Sequence, residues 1–125
     1  MKDVYHGLKK WWQRLGLPVY WEGTLPPTAA QPCITLEPFI RLWGQKGMVI
    51  ARIWFHGTEA AAQRRDFMTR LETILPSWGS SMPTEKHLLL LERGDAFLQE
   101  KALPDRRNWL GLRIEVDLRV FTTKD

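Results

Sequence analysis

The chain has 125 residues, of which 44% are hydrophobic, 26% charged and 11% aromatic. This size and composition predict a single domain over residues 1–125, and they exclude a second full domain, a disordered chain and a fibrous one. Lys and Arg total 18 against 14 Asp and Glu. The resulting net charge of +4 permits weak attraction to polyanions but falls short of a dense basic arm.

Two further features bear on where the protein works. The only cysteine is Cys33, so neither an intrachain disulfide nor a zinc site with several thiolates is expected. The N-terminal segment carries charges through every helical turn, and the sequence has no run of about 20 apolar residues. We therefore expect no signal peptide and no membrane association, but a soluble protein in a reducing compartment such as the cytosol.

The chain opens with a predicted helix and a short strand. Apolar side chains recur at helical spacing over residues 2–15, and Gly16 followed by Pro18 ends the pattern. Residues 19–22 then have the composition of a short strand, which leads into a proline-rich loop. This part of the sequence predicts one amphipathic helix packed beside the start of a sheet.

Two longer strands are expected next. Residues 33–43 form the first, and Pro38 predicts that this strand lies at a sheet edge or is bulged, because proline donates no ladder hydrogen bond. Residues 48–55 form the second, after a glycine-containing turn. Both faces of residues 48–55 are largely apolar, which predicts a central strand.

A second helix is predicted from Thr58 to Pro76. The Thr58 hydroxyl is expected to cap the first amides, and Phe67 and Leu71 belong to an apolar stripe that covers one face of the sheet. Residues 76–86 are rich in Ser, Gly and Pro and predict a surface loop.

The last third of the chain contains its clearest strand. Residues 87–92 form either a buried short strand or the end of a helix, and the strand is favoured. Residues 94–109 have no clear pattern, and a short helix over residues 96–102 is one interpretation. In residues 110–121 apolar and charged side chains alternate, which is typical of a strand buried on one side. Its charged face, formed by Arg113, Glu115, Asp117 and Arg119, suits either solubility or contacts that set the register with a neighbouring subunit. Together these elements predict an α+β fold with a single, largely antiparallel sheet of four or five strands and two main helices packed on one face.

No catalytic or cofactor-binding pattern stands out. His6, His56 and His87 lack the spacing of a metal site, and Cys33 has no histidine nearby in sequence to activate it. No glycine-rich phosphate loop follows a strand. We therefore expect no enzymatic activity, no cofactor and no bound metal, and Cys33 is expected to act as a small buried hydrophobic residue.

Seven tryptophans exceed what a small core usually needs, and Trp and Arg are enriched at the energetic centres of protein interfaces. Trp11, Trp43 and Trp54 have plausible core positions. The other four lie near element ends or in loops, and with two neighbouring arginines they form the predicted interface set: Trp12, Trp21, Trp78, Trp109, Arg106 and Arg107. These residues favour an assembly protein over an enzyme.

A small basic nucleic-acid-binding module is the alternative. Lys9, Lys10 and Arg14 share the first helix with Trp11 and Trp12, and Arg106 and Arg107 precede Trp109. Basic residues beside aromatic rings are typical of surfaces that bind phosphates and stack on bases. Carboxylates are spread widely through the rest of the chain, which makes nucleic acid the less favoured partner.

The order of elements resembles the tail terminator, or tail completion, proteins of long-tailed bacteriophages, which are often called minor capsid proteins in prophages. The matching segments are GLPVYWEGTLPPTAAQPCITLEPF for strand, loop and strand, GMVIARIWFHGTE running into AAAQRRDFMTRLETIL for hairpin strand and crossover helix, and LGLRIEVDLRVF for the closing strand. The resemblance implies a homo-oligomeric ring, typically a hexamer, that caps the tail tube and joins it to the head. It also implies tail-tube and head-neck partners, a place in the virion tail after assembly in the host cytoplasm, and no catalytic residues.

Overall fold

The computed structural model describes residues 2–24, 32–41, 46–102 and 109–123. In these ranges the chain forms two helices and six strands, and the helices are too short and too polar to span a bilayer. In chain order the elements are α1 (Lys2–Gln13), β1 (Val19–Trp21), β2 (Ile34–Arg41), β3 (Lys46–His56), α2 (Ala60–Ile74), β4 (Ser80–Pro83), β5 (His87–Ala102) and β6 (Trp109–Thr122).

The six strands form one mixed sheet in the order β1-β2-β3-β6-β5-β4, which curls into a half-barrel. Strand β1 runs parallel to β2, with Val19 opposite Ile34, and the other neighbours are antiparallel. The predicted α+β class holds only coarsely, and the largely antiparallel sheet of four or five strands was wrong. The relative direction of two strands depends on the path of the chain between them, which the side-chain pattern of either strand does not encode.

Several predicted elements are confirmed. Helix α1 and strands β1, β2, β3 and β6 lie where the sequence patterns place them, and β3 is central, between β2 and β6. Strand β1 pairs only as far as Leu36, so Pro38 lies on a part of β2 that has one described neighbour, β3. That position agrees with the edge placement expected of a strand proline.

Three local predictions were wrong. Residues 96–102 are not a helix but the end of β5, and the predicted loop over residues 76–86 contains β4. Residues 98–102 pair with β6 and β4 pairs with β5, and such pairing overrides weak local preference. Helix α2 has Glu59 at its N-cap with no capping side-chain hydrogen bond, so Thr58 does not cap it.

The hydrophobic core lies between the two helices and one face of the sheet, which we call the inner face. Helix α1 contributes an apolar stripe that includes Leu8, Trp11 and Trp12, and α2 contributes Phe67 and Leu71. The sheet contributes alternate residues of β3 and β6, and the predicted apolar side of β6 is confirmed: Leu112, Ile114, Val116, Leu118 and Val120 are all buried. Cys33 is also buried.

Polar contacts fix α1 against β4 and the start of β5. The Trp11 indole donates its Nε1–H to Ser80 Oγ at 3.0 Å. Asp3 Oδ2 accepts hydrogen bonds from the Thr84 hydroxyl, from His87 Nδ1 at 2.8 Å and from the Lys86 amide at 3.1 Å. These hydrogen bonds, led by those of Thr84 and His87, hold the pKa of the Asp3 carboxyl well below its ordinary value.

Candidate interaction surface

The face of the sheet opposite the core, which we call the outer face, carries no helix among the described residues. Because side chains alternate along a strand, every second residue of β3 and β6 points to this face. These side chains are partly buried or exposed in most positions, whereas most of their neighbours in sequence are buried. From β3 and β6 they are Lys46, Met48, Ile50, Arg52, Trp54, His56, Trp109, Gly111, Arg113, Glu115, Asp117, Arg119 and Phe121.

Three cations surround a tryptophan at one end of the outer face. Arg52 on β3 lies directly opposite Arg113 on β6, and Gly111 on β6 is flanked by Trp54 of β3 and Lys101 of β5. Together with Leu112 these side chains line a surface pocket of about 290 Å³. We call Arg52, Lys101, Arg113 and Trp54 the basic cluster.

The strand pairing creates this cluster and leaves most of its charge unneutralised. Like charges that face each other across a ladder destabilise one another, and Arg52 and Arg113 are such a pair. Arg52 also reaches Glu37 Oε2 at 2.6 Å on the neighbouring strand, with both side chains 44% exposed. An ion pair this exposed contributes about 0–1 kcal/mol. It neutralises one of the three cations, and among the described residues Lys101 and Arg113 form no ion pair.

Aromatic rings continue the same end of the face. The Trp109 ring stacks on His56, with ring centroids 4.3 Å apart and planes inclined by 26°. On the outer face, His56 and Trp109 form the cross-strand pair next to Trp54 and Gly111. The predicted interface residue Trp109 is therefore placed beside the basic cluster, partly buried and on the uncovered face.

Four carboxylates gather further along the sheet. Glu92 of β5 lies directly opposite Asp117 of β6, and Glu115 and Asp95 are their neighbours. Glu115 Oε2 accepts the Ala96 amide at 2.9 Å, within the irregular stretch where the β5–β6 register shifts. We call Glu92, Asp95, Glu115 and Asp117 the acidic cluster.

Burial and mutual repulsion raise the pKa of one carboxyl group in the acidic cluster. Partial burial raises the pKa of Asp117, and the negative charges of Glu115, Asp95 and Glu92 raise it further. Arg113 and Glu115 are successive residues on this face of β6, about 7 Å apart along an extended strand, so the basic and acidic clusters adjoin. The outer face thus carries two patches of opposite sign within the span of one interface.

The predicted interface residues do not form one patch. Trp12 is fully buried, so its predicted exposure was wrong: it belongs to the apolar stripe of α1 and meets Trp11 edge to face, with ring centroids 5.0 Å apart. Trp21 is half-buried and packs edge-on against Tyr5. Trp78 is 84% exposed in the turn before β4.

Other predicted positions fall elsewhere. Arg106, Arg107 and Trp43 lie outside the described residues. Trp54 is not a core residue, because it points to the outer face while Ile53 and Phe55 point inward. The nucleic-acid surface proposed for the first helix was wrong in its aromatic part, since Trp11 and Trp12 are both buried.

Sequence analysis missed the basic cluster. The alternation of buried and exposed residues along β3 was the available signal, because it puts Arg52 and Trp54 on one side. No local pattern connects them to Lys101, which is far from both in sequence. Lys101 joins the cluster only through the pairing registers of β5 with β6 and of β3 with β6.

Comparison with known proteins adds the fold alone. No protein-family model matches the sequence, and no curated protein matches it. One solved structure, whose name states neither an activity nor an organism, is similar over 99% of this chain and 94% of its own, with a TM-score of 0.63 and 11% identity. At that identity the similarity supports a shared fold and carries no function.

Proposed function

We propose that this chain is a phage or prophage virion structural protein of the tail terminator or tail completion type. It self-associates into a ring at the head-proximal end of the tail and joins tail to head. The observation that carries the proposal is the outer face, an uncovered sheet surface with patches of both charge signs. Such a surface is complementary to a second copy of itself, which is the property an assembly protein needs.

The order of the elements adds support. The described chain has a helix, a short strand, a long strand, a hairpin strand, a crossover helix and a closing strand in the order that the resemblance to tail terminator proteins implies. Strands β4 and β5 stand between the crossover helix and the closing strand. In this proposal the partners are further copies of the chain, the tail tube and head-neck proteins, and no cofactor or catalytic group takes part.

The absolute mass in solution tests the proposal. Light scattering on a sizing column, over a series of protein concentrations, is expected to give a discrete species several times the 14.6 kDa chain mass. Electron microscopy of that species is expected to show closed rings. A monomer at every concentration, or open aggregates without closed rings, would contradict it.

Binding of single-stranded nucleic acid is the second candidate function, and the basic cluster is what favours it. Proteins that bind single strands on an open sheet combine cations that contact phosphates with rings that stack on bases. Arg52, Lys101 and Arg113 supply the cations, and Trp54 with the neighbouring Trp109 supplies rings.

Salt and one matched substitution test this second function. A fluorescein-labelled DNA strand of about 20 nucleotides is titrated with protein, and anisotropy is recorded from about 50 to 200 mM salt. Phosphate binding predicts a steep loss of affinity with salt, and weaker binding by Trp54→Leu than by Trp78→Leu, which removes an exposed ring outside the cluster. Absence of any binding at the lowest salt would exclude it.

A further inference from the structure

We infer that copies of this chain contact one another through the outer face, with the basic cluster of one copy against the acidic cluster of the next. The inference rests on the proposed self-association and names the surface that carries it. The occupant of the outer face is thus a second copy of the chain. The reasons are that no ion pair within the chain neutralises most of the charge of either cluster, that the two clusters adjoin on one face, and that apolar side chains lie beside them.

The basic cluster lacks counter-charges within its own chain. Glu37 is the only described carboxylate that forms an ion pair with it, through Arg52. Among the described residues Lys101 and Arg113 form no ion pair. Arg113 also faces Arg52 directly, so an incoming carboxylate would relieve repulsion as well as form new ion pairs.

The acidic cluster has the complementary deficit. None of its four carboxylates forms an ion pair with a described cation, although Lys46 and Arg119 line the same pocket as Glu92 and Asp117. Glu92 faces Asp117 directly across the ladder. A guanidinium or ammonium group from another molecule would separate these like charges. Because a second copy brings such groups on the same kind of surface, it satisfies both clusters with one type of contact.

The apolar side chains beside the two clusters suit an interface. Ile50 lies opposite Glu115, and Met48 opposite Asp117, so partly buried apolar side chains occupy the positions on β3 beside the acidic cluster. Trp54 stands within the basic cluster, and Trp and Arg are enriched where interfaces gain most of their binding energy. Contact there would remove apolar surface from water and form ion pairs around it.

Charge reversal with complementation tests the inference. One variant carries Lys101→Glu and Arg113→Glu, and the other carries Glu92→Lys, Asp95→Lys and Asp117→Lys; Glu115 is kept because it accepts the Ala96 amide. Light scattering is expected to give the assembled mass for the wild type and the monomer mass for each variant alone. An equimolar mixture of the two variants, and a single chain with all five substitutions, are expected to recover the assembled mass.

A matched control separates the surface from the overall charge. Lys10→Glu with Arg65→Glu changes the net charge by the same amount as the first variant, at exposed sites on α1 and α2. This control is expected to assemble as the wild type does. Circular dichroism checks that each variant is folded. The milder pair Lys101→Gln and Arg113→Gln, which is expected to weaken assembly, replaces the first variant if that variant does not fold.

The outcomes distinguish this inference from the proposed function. A wild-type protein that stays monomeric contradicts self-association itself. A wild type that assembles, with both charge-reversed variants assembling equally well or with a mixture that fails to recover, overturns the outer-face contact and leaves self-association intact. If Lys101→Glu with Arg113→Glu abolishes binding of single-stranded DNA without changing the assembled mass, the basic cluster serves nucleic acid and the inference is wrong.

Discussion

Trp54 on β3 covers Gly111, its direct partner on β6. A Cβ atom placed on Gly111 would lie 2.8 Å from both Cε3 and Cζ3 of the Trp54 ring, closer than such atoms approach. Because Gly111 has no side chain, the Trp54 indole can pack directly on the backbone of β6. Arg52 and Lys101, the latter paired with Gly111 on β5, line the same pocket as the indole, so the absence of a side chain at Gly111 shapes the basic cluster.

Replacement of this glycine is expected to destabilise the fold through the tryptophan. Gly111→Ala should lower the free energy of unfolding by about 1–3 kcal/mol, the usual cost of overpacking a fitted site. Urea denaturation measures it. In a Trp54→Ala background the clash is gone, so the same change should be neutral or stabilising. An equal loss in both backgrounds would show that the ring is not the cause.

Two tryptophans from the predicted interface set are expected to behave in opposite ways. Trp12→Ala empties a fully buried site and should cost about 3–5 kcal/mol of stability. Trp78→Ala removes a ring that is 84% exposed and should change stability by less than about 0.5 kcal/mol. Thermal or urea unfolding followed by circular dichroism gives both values, and similar losses would contradict the burial difference.

Asp3 is expected to stabilise the fold at neutral pH and to lose that effect in acid. Its pKa is lower in the folded state, so its contribution is complete above its ordinary value of 3.8 and falls as pH drops further through the folded value. Asp3→Asn should therefore lower the melting temperature at pH 7. The difference in melting temperature between the variant and the wild type should narrow below about pH 4.

The control for this experiment is Asp66→Asn, at an exposed site on α2. It should leave the melting temperature nearly unchanged at both pH values. A gap for Asp3→Asn that stays constant down to strongly acidic pH would mean that the carboxylate charge is not what Thr84 and His87 stabilise.

Asp117 is expected to act in the opposite direction. Burial and the neighbouring carboxylates raise its pKa in the folded state, so the folded chain binds the proton more tightly than the unfolded chain. Its contribution to stability therefore falls as pH rises above 3.8, and the penalty is complete above the folded pKa.

Asp117→Asn removes that penalty, so the variant should melt at a higher temperature than the wild type at pH 7, measured where the protein is monomeric. The gain should disappear in acid, where Asp117 is protonated in both states. The gain in melting temperature at pH 7 should be smaller in a Glu92→Gln background, because the negative charge of Glu92 lies directly opposite Asp117. A loss of stability on Asp117→Asn would show that the negative charge is favourable at this position.

Prediction from sequence succeeded where one element carries its own periodic signal. The alternation in β6 correctly separated the buried Leu112 and Ile114 from Arg113 and Glu115, and the helical stripe correctly put Trp11 in the core. It failed where the pattern was ambiguous. Trp12 widens the α1 stripe by one position, and nothing local decides whether a ring there meets solvent or the neighbouring indole.

The amino-acid sequence by itself determined most of the elements, the central place of β3 and the charged character of one face of β6. Those features depend on spacings of two to four residues along one segment. Only the tertiary structure decided that β1 runs parallel to β2 and that Lys101 joins Arg52 and Arg113 around Trp54. These relationships depend on pairing between segments far apart in sequence, and a shift of one residue in register would send each of those side chains to the opposite face.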